Sequence, residues 1–253
     1  MKTATTGPTD ILFAGDVHGR FDYLVKAVKA IRPHALVLLG DLEAPQSLAT
    51  LMKPLEALGA AVWFIPGNHD TDSQDRWQNL EGLADRNLHG RVATIAGVRI
   101  AGLGGIFRGE IWDPAQNAHY SSYADYGART RLKGAHAQAT GEISEKTAGQ
   151  LLKHRSSIFP DVYERLFDSE ADILITHEAP SCHPYGFTAI DMLAQALGVD
   201  RLFHGHHHDC RDYRAFDASL GFRAYGVGLR GISDSQGHII RAGERDLERA
   251  ERK

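Results

Sequence analysis

Five short apolar runs along the chain are each followed at once by glycine or polar residues. The runs show no alternation of apolar and polar positions, and this pattern predicts strands that are buried on both faces of a sheet. In chain order, the runs and the residues after them are 11–14 before Gly15-Asp16-Val17-His18-Gly19, 35–39 before Gly40-Asp41, 61–65 before Pro66-Gly67-Asn68-His69-Asp70, 173–175 before Thr176-His177-Glu178, and 202–203 before His204-Gly205-His206-His207-His208.

Apolar residues at helical spacing lie between the first three runs. They are Phe21, Leu24, Val25, Val28 and Ile31 in the first interval, and Leu48, Leu51, Leu55 and Leu58 in the second. Pro54 interrupts the second pattern, so we expect this helix to be kinked or to begin late. Strands that alternate with helices predict βαβ units around a largely parallel sheet.

Two further segments predict β-structure of another kind. Residues 92–95 and 98–101 flank Ala96-Gly97 and predict a hairpin, and residues 222–232 carry a second β pattern. The predicted fold is therefore α/β and mixed, with two sheets packed face to face and helices outside them.

Residues 108–165 differ from the rest of the chain because they are polar and irregular in pattern. They include Trp112 and several tyrosines, and a helix is predicted over 143–152. Since the segment has too few apolar residues for its own core, we interpret it as a lid or rim on a single domain of residues 1–253. The charged tail, 244–253, is expected to be a solvated helix or a frayed end.

Length and composition exclude several classes of protein. The chain has 253 residues, of which 43% are hydrophobic and 24% charged, as in globular proteins that bury a full core. Two cysteines, Cys182 and Cys210, cannot form a disulfide scaffold. No apolar run approaches the roughly 20 residues of a membrane helix, and no signal peptide is visible, so we expect a cytoplasmic protein without a membrane partner.

A net charge of -4 argues against a protein that coats nucleic acid or anionic membranes, but it leaves a small phosphorylated substrate open. The abnormal number is histidine, with 14 residues, because histidine is the commonest metal ligand. The sequence gives no indication of the oligomeric state.

The polar residues after the apolar runs form one candidate site, because ligands of open α/β sheets bind at the carboxyl ends of the strands. The pairs Asp16/His18 and His206/His208 have i, i+2 spacing, which on an extended segment places both side chains on one side. Eight candidates are too many for one tetrahedral ion, and they fit two ions of Mn, Fe or Zn that share a carboxylate. The candidates are Asp16, His18, Asp41, Asn68, His69, His177, His206 and His208.

These blocks, taken in order, resemble the signature of the calcineurin-like metallophosphoesterases. That signature is Asp-x-His, Gly-Asp, Gly-Asn-His-Asp/Glu, a lone His, and Gly-His-x-His. Each block alone is a weak signal, but five in order after predicted strands are a strong one. The blocks stand here as Asp16-Val17-His18, Gly40-Asp41, Gly67-Asn68-His69-Asp70, His177 and Gly205-His206-His207-His208.

The resemblance implies a fold, a cofactor and a role for each residue. The fold would be a four-layer α/β/β/α sandwich, and the cofactor two divalent metal ions, with Mn favoured. The resemblance assigns Asp16, His18 and His208 to one metal, Asn68, His177 and His206 to the other, and Asp41 to both. His69 would face the substrate as an acid or oxyanion stabiliser, and Asp70 would orient His69 or a ligand.

The function implied is hydrolysis of a small phosphomonoester or phosphodiester, such as a nucleotide, by a hydroxide that bridges the metals. Nucleic acid would enter only as a substrate, in which case the protein would be a nuclease. A Ser/Thr protein phosphatase is a weaker alternative, since Gly40-Asp41-Leu42-Glu43-Ala44-Pro45 lacks the second Asp and the Arg of Gly-Asp-x-x-Asp-Arg-Gly. A non-catalytic scaffold is also weaker, because all the ligand positions and His69 are present.

Several residues outside the five blocks are candidates for contact with the substrate or the site. Arg20 follows Gly19 directly and is the first candidate to bind a substrate phosphate, because a guanidinium group matches phosphate geometry. The weaker candidates for this role are Arg108, Tyr123 and Arg230. His183 and His204 lie near the site in sequence, whereas His207 is expected to point away from its two neighbours.

Overall fold

The computed structural model describes residues 10–137 and 144–251, and their strands form two five-stranded sheets. In chain order the strands are β1 (Ile11–Ala14), β2 (Ala35–Leu38), β3 (Ala61–Phe64), β4 (Arg91–Ile95), β5 (Val98–Leu103), β6 (Ile173–Thr176), β7 (Arg201–His204), β8 (Arg223–Gly226), β9 (Ile232–Asp234) and β10 (Ile239–Arg241). The helices are α1 (Asp22–Ile31), α2 (Leu48–Glu56), α3 (Gln74–Glu81), α4 (Tyr123–Ala137), α5 (Glu145–Lys153), α6 (Pro160–Phe167), α7 (Thr188–Leu197), α8 (Asp217–Leu220) and α9 (Glu244–Glu251).

Both sheets are mixed. The first has the order β10-β9-β1-β2-β3, in which β1, β2 and β3 are parallel while β9 and β10 add antiparallel pairs. The second has the order β4-β5-β6-β7-β8, in which β4 and β5 form the predicted hairpin and the other pairs are parallel. The prediction of two mixed sheets is therefore confirmed.

Three layers of apolar side chains hold the sheets and helices together. Between the sheets, the rings of Phe13 and Phe203 stack with their centroids 4.1 Å apart. The outer face of the first sheet packs against α1 and α2, and that of the second against α6 and α7. Strands β1, β2 and β6 are buried at every position, which explains their continuous apolar runs.

The structure differs from the sequence prediction in three places. Helix α2 does not begin late: it starts at Leu48, and Pro54 lies in its last turn. The β pattern of 222–232 is divided between β8 in one sheet and the start of β9 in the other. The segment 108–165 contains α4, α5 and the first part of α6, and so is more helical than predicted.

Part of the segment 108–165 has a small apolar cluster of its own, contrary to the sequence expectation. The buried members of this cluster are Ile111, Tyr126, Leu151 and Phe159. The predicted helix at 143–152 corresponds to α5, although residue 143 lies outside the described residues. The tail is helical as α9, and residues 252–253 also lie outside that description.

Candidate metal centre

The carboxyl ends of strands from both sheets meet at one place. Asp16, Asp41 and Asn68 follow β1, β2 and β3 of the first sheet. His177 follows β6 of the second sheet, and its Nδ1 donates a hydrogen bond of 2.8 Å to the carbonyl oxygen of Leu39 after β2. This bond joins the two sheets and leaves Nε2 of His177 free to act as a ligand.

One group of converging side chains consists of Asp16, His18, Asp41 and His208. Their candidate ligand atoms all lie within 4.8 Å of one another. The Nε2 atoms of His18 and His208 are 3.0 Å apart, and Nε2 of His208 lies 3.1 Å from Oδ2 of Asp16. Ligand atoms held about 2.1 Å from one ion stand at similar separations, so this group could hold a cation.

A second group shares Asp41 with the first and adds His177 and His206, again with all ligand atoms within 4.8 Å. Nε2 of His177 lies 3.4 Å from Oδ1 of Asp41 and 3.2 Å from Oδ1 of Asn68. The structure thus brings together all seven side chains that the sequence predicts as metal ligands, and the carboxylate of Asp41 stands between the two groups.

The chemistry of the donor set fits divalent cations. Oδ2 of Asp16 is buried and makes no well-directed hydrogen bond, although Nε2 of His208 lies 3.1 Å from it; a cation facing this carboxylate oxygen would offset the cost of its burial. Burial opposes the charge of Asp41, but His177 and His69 outweigh it and lower the pKa of Asp41 well below its usual range. Burial also opposes a charge on His177, yet Asp41 and Asp16 raise its pKa to about 10. Two buried carboxylates therefore attract positive charge at this place.

Three of the four residues in the two i, i+2 pairs do not lie on extended backbone, contrary to the reasoning from that spacing. His18, His206 and His208 have left-handed φ values of 43°, 69° and 61°. His206 and His208 belong to different groups. His207 also departs from the prediction, because its ring lies 4.8 Å from that of His206 and stacks on His183 at 3.8 Å.

His69 lies beside the first group with 45% of its side chain exposed, and its ring centroid is 5.6 Å from that of His18. Its backbone N–H donates a 2.8 Å hydrogen bond to Oδ1 of Asp41. The carboxylate that contacts its ring is Asp72, whose Oδ2 lies 2.8 Å from Nδ1. The side chain of His69 is thus open to solvent while one of its nitrogen atoms is held.

Asp70 contacts the backbone of two loops of the site and not the ring of His69. Its two carboxylate oxygens accept hydrogen bonds from the backbone N–H groups of Glu43, at 2.7 Å, and Gly67, at 2.8 Å. Burial raises the pKa of Asp70 to about 7. Asp70 therefore joins the loop after β2 to the loop after β3, and Asp72 takes the position beside His69. Of the two roles predicted for Asp70, the orientation of a ligand stays a prediction.

The candidate substrate arginines are partly engaged elsewhere. Arg20 is 59% exposed, with Nη1 3.8 Å from Oε1 of Glu244, so its contact with a phosphate stays a prediction. Arg230 forms an ion pair with Glu244 as well. Arg108 donates hydrogen bonds to Ser156 and Ser157, both of which lie in the segment 108–165. The weaker candidate Tyr123 donates to the carbonyl oxygen of Leu151.

Sequence reasoning missed four charged residues around the groups: Glu43, Asp72, Arg76 and Glu178. The position of Glu178 directly after His177 was a usable signal, and its ligand atom lies within 4.8 Å of those of His206 and His207. Burial raises the pKa of Glu178 to about 7, and its Oε1 accepts a hydrogen bond from the backbone N–H of Phe107.

Among the residues that the structure describes, no helix has the length and apolar character needed to cross a membrane.

This chain is similar to several known proteins. The chain is 38% identical over 237 residues to an uncharacterised protein of Haemophilus influenzae, covering 91% of this chain and 96% of that protein. The crystal structure of TT1561 of Thermus thermophilus is similar with a TM-score of 0.54 at 16% identity, covering 92% of this chain and 97% of that one, and it supports the fold alone. A dimetal phosphatase from Danio rerio reaches a TM-score of only 0.48 at 15% identity and 88% coverage of both chains, which is too low to carry an argument.

The sequence model of the calcineurin-like phosphoesterases matches residues 9–210, a range that includes every residue of the two groups. The matched range covers more than half of the chain. The chain belongs to the calcineurin-like phosphoesterase family.

Proposed function

We propose that this protein hydrolyses a small phosphoester with the help of two divalent cations. The observation that carries the proposal is the carboxylate of Asp41, which belongs to both groups of candidate ligands. A carboxylate in that position can hold two ions close together, as dinuclear hydrolases require. A set of carboxylate, amide and imidazole ligands without a thiolate accepts Mn, Fe or Zn, and manganese is our first choice among these because the resemblance favours it.

Each residue of the two groups then has a stated task. Asp16, His18 and His208 hold one cation, Asn68, His177 and His206 hold the other, and Asp41 holds both. When bound, the cations lower the pKa of a water molecule and neutralise the charge of the phosphate. The bond from Nδ1 of His177 to Leu39 directs its Nε2 toward the site, and Asp70 keeps the loops that carry Asp41 and Asn68 in place.

His69 is the proposed proton donor. As the oxygen of water bonds to phosphorus, the water releases one proton to the solvent and the bond from phosphorus to the leaving oxygen breaks. The leaving oxygen takes a proton from His69, which is protonated again from the solvent. Partial burial opposes a charge on His69, but the hydrogen bond to Asp72 and the nearby Asp41 raise its pKa. The exposure of its ring makes it reachable by a substrate.

The proposed substrate is a small molecule that carries a phosphate. The net charge of -4 favours such a substrate over a long nucleic acid, which requires a basic surface. We infer no membrane partner, and we propose a cytoplasmic location on the sequence expectations alone.

Hydrolysis of p-nitrophenyl phosphate and bis-p-nitrophenyl phosphate with added Mn²⁺ tests the proposal. We expect turnover of one of the two, and its loss of at least about 100-fold in Asp41→Asn, because the shared ligand is weakened. His119→Ala is the control, since His119 is an exposed residue outside both groups. A wild-type protein that binds Mn²⁺ but hydrolyses neither compound would contradict the proposal.

A further inference from the structure

A chain of polar contacts joins the first ligand group to His69 around the outside of the site. Nδ1 of His18 contacts Oε1 of Glu43. The other oxygen of Glu43, Oε2, lies 2.7 Å from Nη2 of Arg76. Nη1 of Arg76 donates a hydrogen bond of 3.2 Å to Oδ2 of Asp72, and the same oxygen lies 2.8 Å from Nδ1 of His69.

Both histidines are held in the same manner at the two ends of this chain. A carboxylate faces Nδ1 in each case, so Nε2 is the nitrogen directed away from it. For His18, Nε2 is the atom that approaches His208 in the first ligand group. A carboxylate behind an imidazole fixes the orientation of the ring and the position of its proton.

Arg76 is suited to hold both carboxylates because its two terminal nitrogens contact different partners, Nη2 the carboxylate of Glu43 and Nη1 that of Asp72. A guanidinium group is planar and rigid, whereas an ammonium group is a single point of charge. The backbone of Arg76 is fixed as well, since its N–H donates to Oγ of Ser73, the residue that caps the start of α3. Asp72 stands four residues before Arg76, a spacing that brings the two side chains together.

We infer that Arg76 is a positioning residue, which holds Glu43 behind the ligand His18 and Asp72 behind the proton donor His69. This inference rests on the proposed function and extends it, because it couples metal binding and proton donation through one side chain. Within the part of the chain that the structure describes, Arg76 forms its ion pairs with Glu43 and Asp72 and with no member of the two groups of candidate ligands. Its effect must therefore pass through the two carboxylates.

The test compares substrates that differ only in their need for a proton donor. Phenyl phosphate has a poor leaving group and depends on protonation, whereas p-nitrophenyl phosphate does not; the matching aryl diesters replace them if the wild type prefers diesters. We expect Arg76→Ala to lose at least about tenfold more activity on the phenyl than on the nitrophenyl ester, because His69 is no longer held. The apparent affinity for one Mn²⁺ ion should fall by about tenfold or more, because Glu43 no longer orients His18.

Arg76→Lys is the second variant, and it keeps the charge and most of the side-chain length. We expect it to share the selective loss, because one ammonium group cannot hold two separate carboxylates. Arg86→Ala is the matched control: Arg86 is 33% exposed against 35% for Arg76, and it forms an ion pair with Asp85 away from the site. It should leave both the substrate ratio and Mn²⁺ binding unchanged.

An equal loss on both esters in Arg76→Ala, or no loss, would overturn the inference while leaving the proposed function intact. If the wild type binds Mn²⁺ but hydrolyses no ester, the proposed function fails instead. In that case the Mn²⁺ titration decides the coupling to His18: weaker binding in both Arg76 variants supports it, and unchanged binding overturns it.

Discussion

Strained backbone is concentrated at the residues of the metal centre. Asp41 has a φ of 47° and so lies, like His18, His206 and His208, in the left-handed region of backbone conformation. Residues other than glycine rarely adopt this region. Each such residue costs about 1–3 kcal/mol and persists only where its surroundings hold it. At these residues the left-handed backbone directs side chains from separate short loops toward the metal centre. The alternating side chains of a regular strand do not converge in this way.

The site needs the small size of Gly67. A Cβ at this position would lie 2.3 Å from Oδ1 and from the backbone N of Asp41, and 2.7 Å from Cε1 of His177. We therefore predict that Gly67→Ala weakens Mn²⁺ binding by at least about tenfold, since a shift of this size costs about 1–3 kcal/mol. Calorimetric titration of Mn²⁺ measures the effect.

The control for this substitution is Gly109→Ala, because a Cβ there meets no atom within 4 Å. Its Mn²⁺ affinity should match that of the wild type. If Gly67→Ala also binds Mn²⁺ as the wild type does, the proposed approach of Asp41 and His177 to Gly67 is wrong.

At the scale of elements, the segment 108–165 contacts the turn that carries His69. The 3-10 helix His69–Thr71 lies against a second 3-10 helix, His154–Ser156, and Oγ1 of Thr71 is 2.7 Å from Oγ of Ser156. Nη1 of Arg108 donates a 2.9 Å hydrogen bond to the carbonyl oxygen of Ser156, which lies in the second 3-10 helix. These contacts support the interpretation of the segment 108–165 as a rim of the site. That the segment acts as a lid stays a prediction.

His154 makes the stability of this segment depend on pH. Burial, with a contribution from Arg108, lowers the pKa of His154 to about 4, whereas an unfolded histidine has a pKa near 6.5. Between these values the unfolded chain binds the extra proton, so the free energy of unfolding falls as the pH falls from about 6.5 toward 4. At pH 5 the loss relative to pH 7.5 is about 2 kcal/mol.

We predict that His154→Gln removes this part of the pH dependence, because glutamine carries no charge at either pH. Urea unfolding at pH 5 and pH 7.5, with a chelator present, measures the difference between variant and wild type. His119→Gln serves as the control, since its exposed side chain should leave the dependence as it is. Equal pH dependence in wild type and His154→Gln would refute the prediction.

At the scale of the whole molecule, the site joins the two sheets at their carboxyl ends. Asp16, Asp41 and Asn68 come from the loops of one sheet, whereas His177, His206 and His208 come from the loops of the other. Cations bound by both sets would act as cross-links between the sheets. They would bind the folded chain and not the unfolded one, and so stabilise the fold by mass action.

We therefore predict that Mn²⁺ raises the melting temperature and that a chelator reverses the change. At a free concentration of about 100 times the dissociation constant the gain is about 2.7 kcal/mol, which corresponds to about 5–10 °C for a chain of this size. Differential scanning calorimetry of wild type and Asp41→Asn checks this. The shift should be much smaller in the variant, and an equal shift in both proteins would show that the cations bind elsewhere.

The sequence by itself determined the two-sheet α/β architecture, the strands that end at the site and the family. These follow from local patterns, because a buried strand must be continuously apolar and a ligand must follow its carboxyl end. Only the tertiary structure decided that Asp72, and not Asp70, contacts His69. It also decided that Arg76 contacts Glu43, the carboxylate beside the predicted ligand His18. Such partners depend on how loops from different strands and the start of α3 pack against each other, and no spacing along the chain encodes a distance across that packing.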